Sequence, residues 1–273
     1  IHAYANPAHE RRARDIVREE HPDCAISISS EVLPEYREYE RTMTTLVDAF
    51  VKPHMTRYLS RVKEALGAGL SRPPFLVMQS NGGVMSAEQV VLKPITTSLS
   101  GPAAGALGSA VIAGLAGFEN VVTLDAGGTS TDLCLIEGGA PHLTNGGSIG
   151  SFPVRIPMID IETIGTGGGS VAWVSREGHL QVGPRSAGAD PGPMCYPNGG
   201  EEPTITDANL VLGRLPASLI GGGIALDVGR SRSGIAGLSR RLGGTMSVEE
   251  LAAGIVEIAN WSQANRIRQM TIQ

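Results

Sequence analysis

Residues 125–132 read Asp-Ala-Gly-Gly-Thr-Ser-Thr-Asp, so two carboxylates bracket two glycines and two threonines. Gly127 and Gly128 carry no Cβ, which lets backbone N–H groups converge there on an anion. Thr129 and Thr131 add hydroxyl donors. Asp125 and Asp132 would repel a bare phosphate but suit a hydrated Mg²⁺ that bridges to one. Apolar runs at 121–124 and 133–136 flank this centre. The spacing therefore predicts strand, tight turn, strand, with Asp125 closing the first strand and Asp132 opening the second. Gly-Gly alone makes an ordinary hairpin turn. The paired aspartates and threonines exceed what a turn needs, and they point to phosphate plus metal.

A second glycine-rich segment, Gly-Thr-Gly-Gly-Gly-Ser at 165–170, lies between β-type runs at 154–164 and 171–174. It is not a dinucleotide fingerprint, because Ser170 stands where a glycine is needed and no helical pattern follows. Gly167, Gly168, Gly169 and Ser170 are expected to approach phosphate or substrate. Ser100-Gly-Pro-Ala-Ala-Gly105 opens an Ala/Gly-rich helix to about residue 116. Gly101 and Gly105 there suit either an anion at the helix N-terminus or close helix packing.

The stretch from Asp125 to Asp132 resembles the D-x-G-G-T-x-x-D phosphate motif of the actin, sugar-kinase and Hsp70-like ATPases. Five other stretches resemble the hydantoinase A / 5-oxoprolinase family. They are Ser30-Glu-Val-Leu-Pro-Glu-Tyr-Arg-Glu-Tyr-Glu-Arg41, Gln79-Ser-Asn-Gly-Gly83, Ser100-Gly-Pro-Ala-Ala-Gly105, Thr163-Ile-Gly-Thr-Gly-Gly-Gly-Ser170 and Gly183-Pro-Arg-Ser-Ala-Gly-Ala-Asp-Pro-Gly-Pro-Met-Cys-Tyr196. The resemblance covers essentially the whole chain. The resemblance implies an α/β fold of the ribonuclease H-like, actin-like ATPase kind: a mixed sheet with flanking helices, incomplete at both ends. It implies a hydantoinase A-type domain over 34–273, truncated at its C-terminus, with 1–33 the tail of a preceding N-terminal domain.

In function it implies the ATP-binding A-type subunit or domain of an amidase that opens hydantoin or 5-oxoproline rings, with ATP and Mg²⁺ as cofactors. Gly127, Gly128 and Thr129 would meet phosphate oxygens, and Asp125 and Asp132 would hold the metal and serve as the catalytic pair. The implied partners are a small cyclic amide and a B-type hydantoinase subunit or domain, in an oligomer. An ATP-dependent ketone carboxylase subunit is the close alternative, and a non-catalytic fragment that docks on the partner is another. Family members usually carry an earlier copy of the phosphate motif and a nucleotide-completing region after the last helix. Neither is present here, so the segment by itself is expected to fold but to turn over no ATP.

Composition sets the frame. The 273 residues are 41% hydrophobic and 18% charged, ordinary for a globular protein with a real core. Glycine is abundant at 36 residues and aromatics are scarce at 4%, which fits many turns and close backbone approaches. A net charge of −5 without any basic cluster argues against a nucleic-acid or anionic-membrane surface. The longest apolar stretch, 103–117, is too short to span a bilayer. Three widely spaced cysteines give neither a disulfide framework nor a zinc site, and with no signal peptide visible a cytoplasmic location is expected. The six histidines are scattered and form no ligand cluster.

The positioning elements follow from caps and periodicity. Asn6-Pro7 predicts a helix to about Glu20, and 24–29 reads as a short strand. Apolar residues from Met43 to Leu66 recur at helical spacing, with Pro53 expected to kink the helix. Glu31, Glu35, Glu38 and Glu40, alternating with Arg37 and Arg41, are either a solvated helix entry or a substrate-binding group. Residues 75–79 predict a strand that ends in a glycine turn before a helix capped by Ser86. The Gly/Pro-rich segment 183–200 predicts an ordered loop anchored by Met194 and Tyr196. A short helix capped at Thr206-Asp207 should end near Arg214, and 215–244 reads as irregular with solvated arginines. Ser247-Val-Glu-Glu250 is a capping box for a last long helix.

Overall fold

A computed structural model of the chain describes residues 1–67, 74–218 and 223–272. In chain order come α1 (Ala8–Glu20), α2 (Ser29–Val32), α3 (Glu38–Gly67), β1 (Leu76–Met78), β2 (Val84–Ser86), α4 (Ala87–Leu92), a 3₁₀ turn (Pro94–Thr97) and α5 (Ser100–Leu115). Then follow β3 (Val121–Ala126), β4 (Thr131–Glu137), β5 (Ala140–Pro141), β6 (Leu143–Thr144), β7 (Gly147–Ile149), β8 (Phe152–Val154), β9 (Met158–Ile159) and β10 (Glu162–Ile164). The chain closes with β11 (Ser170–Val174), β12 (Leu180–Ser186), α6 (Ile205–Val211), α7 (Val228–Arg241) and α8 (Val248–Thr271). This is the expected α/β class, and every strand pairing with a described register is antiparallel. No helix among the described residues is long and apolar enough to cross a membrane.

The chain divides into two compact units, Ile1–Val121 with Ile136–Asp160, and Val122–Leu135 with Ile161–Gln273. In the first, α3 is the organising helix. Two of its buried residues one turn apart are polar, and each captures a backbone N–H: Thr44 Oγ1 accepts from Arg155 at 2.9 Å and Asp48 Oδ1 from Ile95 at 3.0 Å. The Asp48 carboxylate also accepts from the Ser27 hydroxyl at 2.6 Å and pairs with Lys52 at 3.3 Å. These fixed polar contacts decide which face of α3 turns inward, because an unmatched buried carboxylate is costly. The expected apolar stripe is therefore split. Val47, Met55 and Leu59 join the core, while Leu46, Phe50, Tyr58 and Leu66 are exposed.

The second unit is built on α8. The Ser247 capping box forms as expected, with side chain and backbone bonds to Glu250 in both directions. Leu251, Ala252, Ile255, Val256 and Ala259 then line one face of the helix and close the core against α6, α7 and β11. Two expectations shift here. The cap of α6 is Thr204, with Asp207 at its third position, two residues earlier than the sequence reading placed it. Residues 228–241, read as irregular, form α7, capped by Asp227. Part of the irregular segment, 219–222, lies outside the described residues. Elsewhere, residues 24–28 carry no regular secondary structure rather than forming a strand, and 183–186 complete β12 instead of belonging to a loop.

Candidate functional site

The expected strand–turn–strand forms: β3 and β4 are neighbours in one sheet, and β10 pairs along the other edge of β4. The Gly127 N–H donates to the Ser130 carbonyl at 2.9 Å, which closes the turn. The register sets Thr163 opposite Asp132 and Ile164 opposite Thr131. The Thr163 hydroxyl donates to Asp132 Oδ1 at 2.6 Å, fixing that half-buried carboxylate. Asp125, Gly127, Gly128 and Thr129 are exposed. Among the described residues, the N–H groups of Gly128 and Thr129 meet no acceptor.

Gly128 is informative for what does not explain it. A Cβ there would meet nothing within 4 Å, and its φ lies outside the left-handed region. Neither packing nor backbone strain demands glycine, so what its missing side chain leaves is an uncovered amide edge.

The second glycine segment packs against the turn. It folds across the turn from β10, and the N–H groups of Gly168 and Gly169 donate to the carbonyls of Gly127 and Gly128 at 2.9 and 2.6 Å. The Gly167 N–H goes to Ser170 Oγ at 2.9 Å, and the Ser170 N–H returns to the Gly167 carbonyl at 2.9 Å. All four amides are thus committed inside the protein, and Gly167, Gly169 and Ser170 are buried. The N–H groups of Gly167, Gly168, Gly169 and Ser170, the residues expected to approach phosphate or substrate, are therefore spent within the protein, where they form the bed on which the exposed turn rests. Here glycine is a packing requirement. A Cβ on Gly167 would stand 2.7 Å from the Ser130 nitrogen, and one on Gly169 would stand 2.9 Å from the Gly128 carbonyl oxygen.

Thr131 also departs from expectation. Fully buried, it donates its hydroxyl to the Thr166 carbonyl and accepts from the Gln263 amide at 3.1 Å, so it has no hydroxyl to offer outward. Beside Gln263 on α8, Ser262 meets the Thr166 hydroxyl at 3.4 Å, and Arg266, one turn on, pairs with Glu162. The sequence reading missed these α8 contacts and the Thr163 contact. The register of β10 on β4 supplies Thr163, but nothing in local spacing marks Gln263. Gly101 and Gly105 lie on α5 in the first unit, where both are exposed and a Cβ on either would meet nothing within 4 Å.

The chemistry on offer at the turn is an exposed pair of backbone donors, a Thr129 hydroxyl that meets no partner among the described residues, and two carboxylates at its ends. Among the described residues no cluster of three or more His, Cys, Asp or Glu side chains forms a metal cage. A Mg²⁺ ion commonly takes one or two carboxylates and keeps waters and phosphate oxygens for the rest, so the Asp125 and Asp132 pair fits that ion rather than a fully protein-ligated one.

Two solved enzymes are similar to this chain over nearly its whole length. It is similar to the nucleotide-free structure of acetone carboxylase, with a TM-score of 0.86 and 31% identity over 99% of this chain and 38% of that one. It is also similar to the ATP-dependent caprolactamase from Pseudomonas jessenii, with a TM-score of 0.75 and 39% identity over 99% of this chain and 39% of that one. The chain belongs to the hydantoinase/oxoprolinase family, whose sequence model matches residues 41–273. Against the caprolactamase alpha subunit of Pseudomonas jessenii it is 42% identical, over 98% of this chain and 38% of that subunit. The chain thus spans about two-fifths of the length of each of these relatives.

Proposed function

We propose that the chain is the phosphate-binding part of an A-type subunit or domain in an ATP-dependent enzyme that opens a small cyclic amide. The observation that carries this reading is the uncovered amide edge of Gly128 and Thr129 between Asp125 and Asp132, at a glycine that neither packing nor strain requires. In this reading Gly128 and Thr129 receive phosphate oxygens through N–H and hydroxyl donors, while Gly127, its N–H closing the turn on the Ser130 carbonyl, leaves room for the phosphate to approach. Asp125 and Asp132 hold a hydrated Mg²⁺, Asp132 being oriented by the Thr163 hydroxyl. Gly167, Gly168, Gly169, Ser170 and Thr131 keep the turn rigid from behind. Mg²⁺ would supply neutralisation of phosphate charge; the chain's own contribution is positioning, which is most of what phosphoryl transfer asks of a protein. Residues 34–273 would constitute the hydantoinase A-type domain, and 1–33 the end of a preceding one. A B-type subunit or domain would complete the enzyme in an oligomer, at a cytoplasmic location.

Identity to the caprolactamase structure, 39% against 31% for the acetone carboxylase, favours amide over ketone as the activated carbonyl. The backbone match to the carboxylase, TM-score 0.86 against 0.75, keeps ketone carboxylation as the second reading. Phosphate release by the intact protein with its partner, measured with five- to seven-membered lactams and with ketones plus bicarbonate, separates the two. Stimulation by a lactam supports the amidase reading; stimulation by ketone and bicarbonate alone overturns it.

A further inference from the structure

Asp207 is fully buried and has no cationic partner among the described residues, yet its carboxylate accepts five hydrogen bonds. Oδ1 receives the Cys195 N–H at 2.8 Å and the Ser231 hydroxyl at 2.6 Å. Oδ2 receives the Met194 N–H at 3.1 Å, the Thr204 N–H at 2.9 Å and the Thr204 hydroxyl at 2.8 Å. Five donors facing two oxygens suit an acceptor-only group and replace the water it lost on burial. One side chain therefore ties the Gly/Pro-rich loop, the cap of α6 and the first turn of α7 to one point.

The residue before it carries the tie onward. Thr206 donates both its N–H, at 2.8 Å, and its hydroxyl, at 2.9 Å, to the Gly168 carbonyl. The Gly168 N–H in turn donates to the Gly127 carbonyl at 2.9 Å. A second route runs through the loop, where the Ala187 N–H donates to the Gly169 carbonyl at 2.8 Å and the Gly169 N–H to the Gly128 carbonyl at 2.6 Å. Both routes lead from elements pinned by Asp207 to the two glycines of the exposed turn.

We propose that Asp207 is a positioning residue for the 127–130 turn, acting through Thr206 and the 165–170 bed without touching any ligand itself. Its effect on ATP rests on the phosphate reading given above; its effect on the turn does not. Such a contiguous hydrogen-bonded path needs coupling evidence, and local amide exchange supplies it.

The test uses the intact protein with its partner, comparing wild type, Asp207→Asn and Thr206→Val. Amide exchange is followed at the hydrogen-bonded amides of the two stretches, Gly127 in the turn and Gly167 to Ser170 in the bed, with peptides of the first unit as the internal control. Asp207→Asn should raise exchange in both stretches roughly tenfold, the equivalent of losing about one charge-assisted hydrogen bond, with the controls unchanged. Thr206→Val removes one hydroxyl bond from a half-buried site that tolerates the isosteric change, and should raise exchange in the same stretches about threefold. It decides the matter if Asp207→Asn does not fold. ATP titration should show a raised KM with kcat largely kept. Exchange that rises only around 194–195 and 231, with 127–130 and 165–170 as in wild type, overturns the proposal. Faster exchange at the turn with unchanged ATP affinity upholds the positioning role and overturns the phosphate reading instead.

Discussion

Gly167 packs so closely on Ser130 that a Cβ added to it would stand 2.7 Å from the Ser130 backbone nitrogen. Gly128, two residues before Ser130, is the reverse case, since a Cβ there would meet nothing within 4 Å. Two glycines in neighbouring motifs thus answer to different demands, one to packing and one to exposure.

This contrast predicts opposite phenotypes. Gly167→Ala forces backbone against backbone and should cost about 3 kcal/mol, the upper part of the usual overpacking range. For a unit of this size that is a fall in Tm of roughly 6–12 °C. Gly128→Ala should change stability by less than about 0.5 kcal/mol, as surface substitutions do, while its methyl group obstructs the amide edge and weakens ATP use. Thermal melts and ATP titrations on both variants check the pair. A destabilised Gly128→Ala with normal ATP affinity would contradict it.

Cys195 gives a prediction in pH. Burial first, and the neighbouring Asp207 charge second, push its thiol from 9.0 up to about 12. Because the folded-state value is the higher one, the stability held by the neutral thiol is complete below about pH 9 and is lost as pH climbs toward 12. At pH 8 a thiol reagent should modify exposed Cys24 and leave buried Cys195 untouched until the chain unfolds. Denaturant midpoints between pH 8 and 11 should fall more steeply for wild type than for Cys195→Ala. Equal labelling rates of Cys24 and Cys195 in the native protein would refute the buried placement.

The hairpin, the α8 capping box and the Ala/Gly-rich α5 were legible because each rests on local rules: apolar runs around a polar turn, Ser-x-x-Glu, a small-residue helix. Applied to Thr204-Ile-Thr-Asp207, the same capping rule would have found the α6 cap, and with it the residue that anchors the loop. Helix α7 was hidden because two of its inward positions are Ser231 and Ser239, whose burial is satisfied by hydrogen bonds to Asp207 and the Met246 carbonyl rather than by apolarity. The hydrophobic period therefore fails there. The facing of α3 was hidden for a related reason, since Asp48 and Thr44 occupy its inward side. The supporting role of 165–170 depends on register between segments about forty residues apart, which no local pattern encodes.

The most direct test of the central claim is ATP hydrolysis by the intact protein over a Mg²⁺ titration, for Asp125→Asn and Asp132→Asn beside wild type, with thermal melts in parallel. Each substitution keeps the side chain's shape and removes the charge assigned to the metal. Loss of one charge-assisted contact amounts to about 1.5–3 kcal/mol, or roughly 10- to 150-fold in rate. The account predicts a loss of that size with a raised Mg²⁺ requirement in both variants and melting points close to wild type, Asp125 being the less perturbed because it is exposed. Wild-type turnover at every Mg²⁺ concentration, with a lowered melting point, would contradict it and leave the 125–132 stretch a structural hairpin.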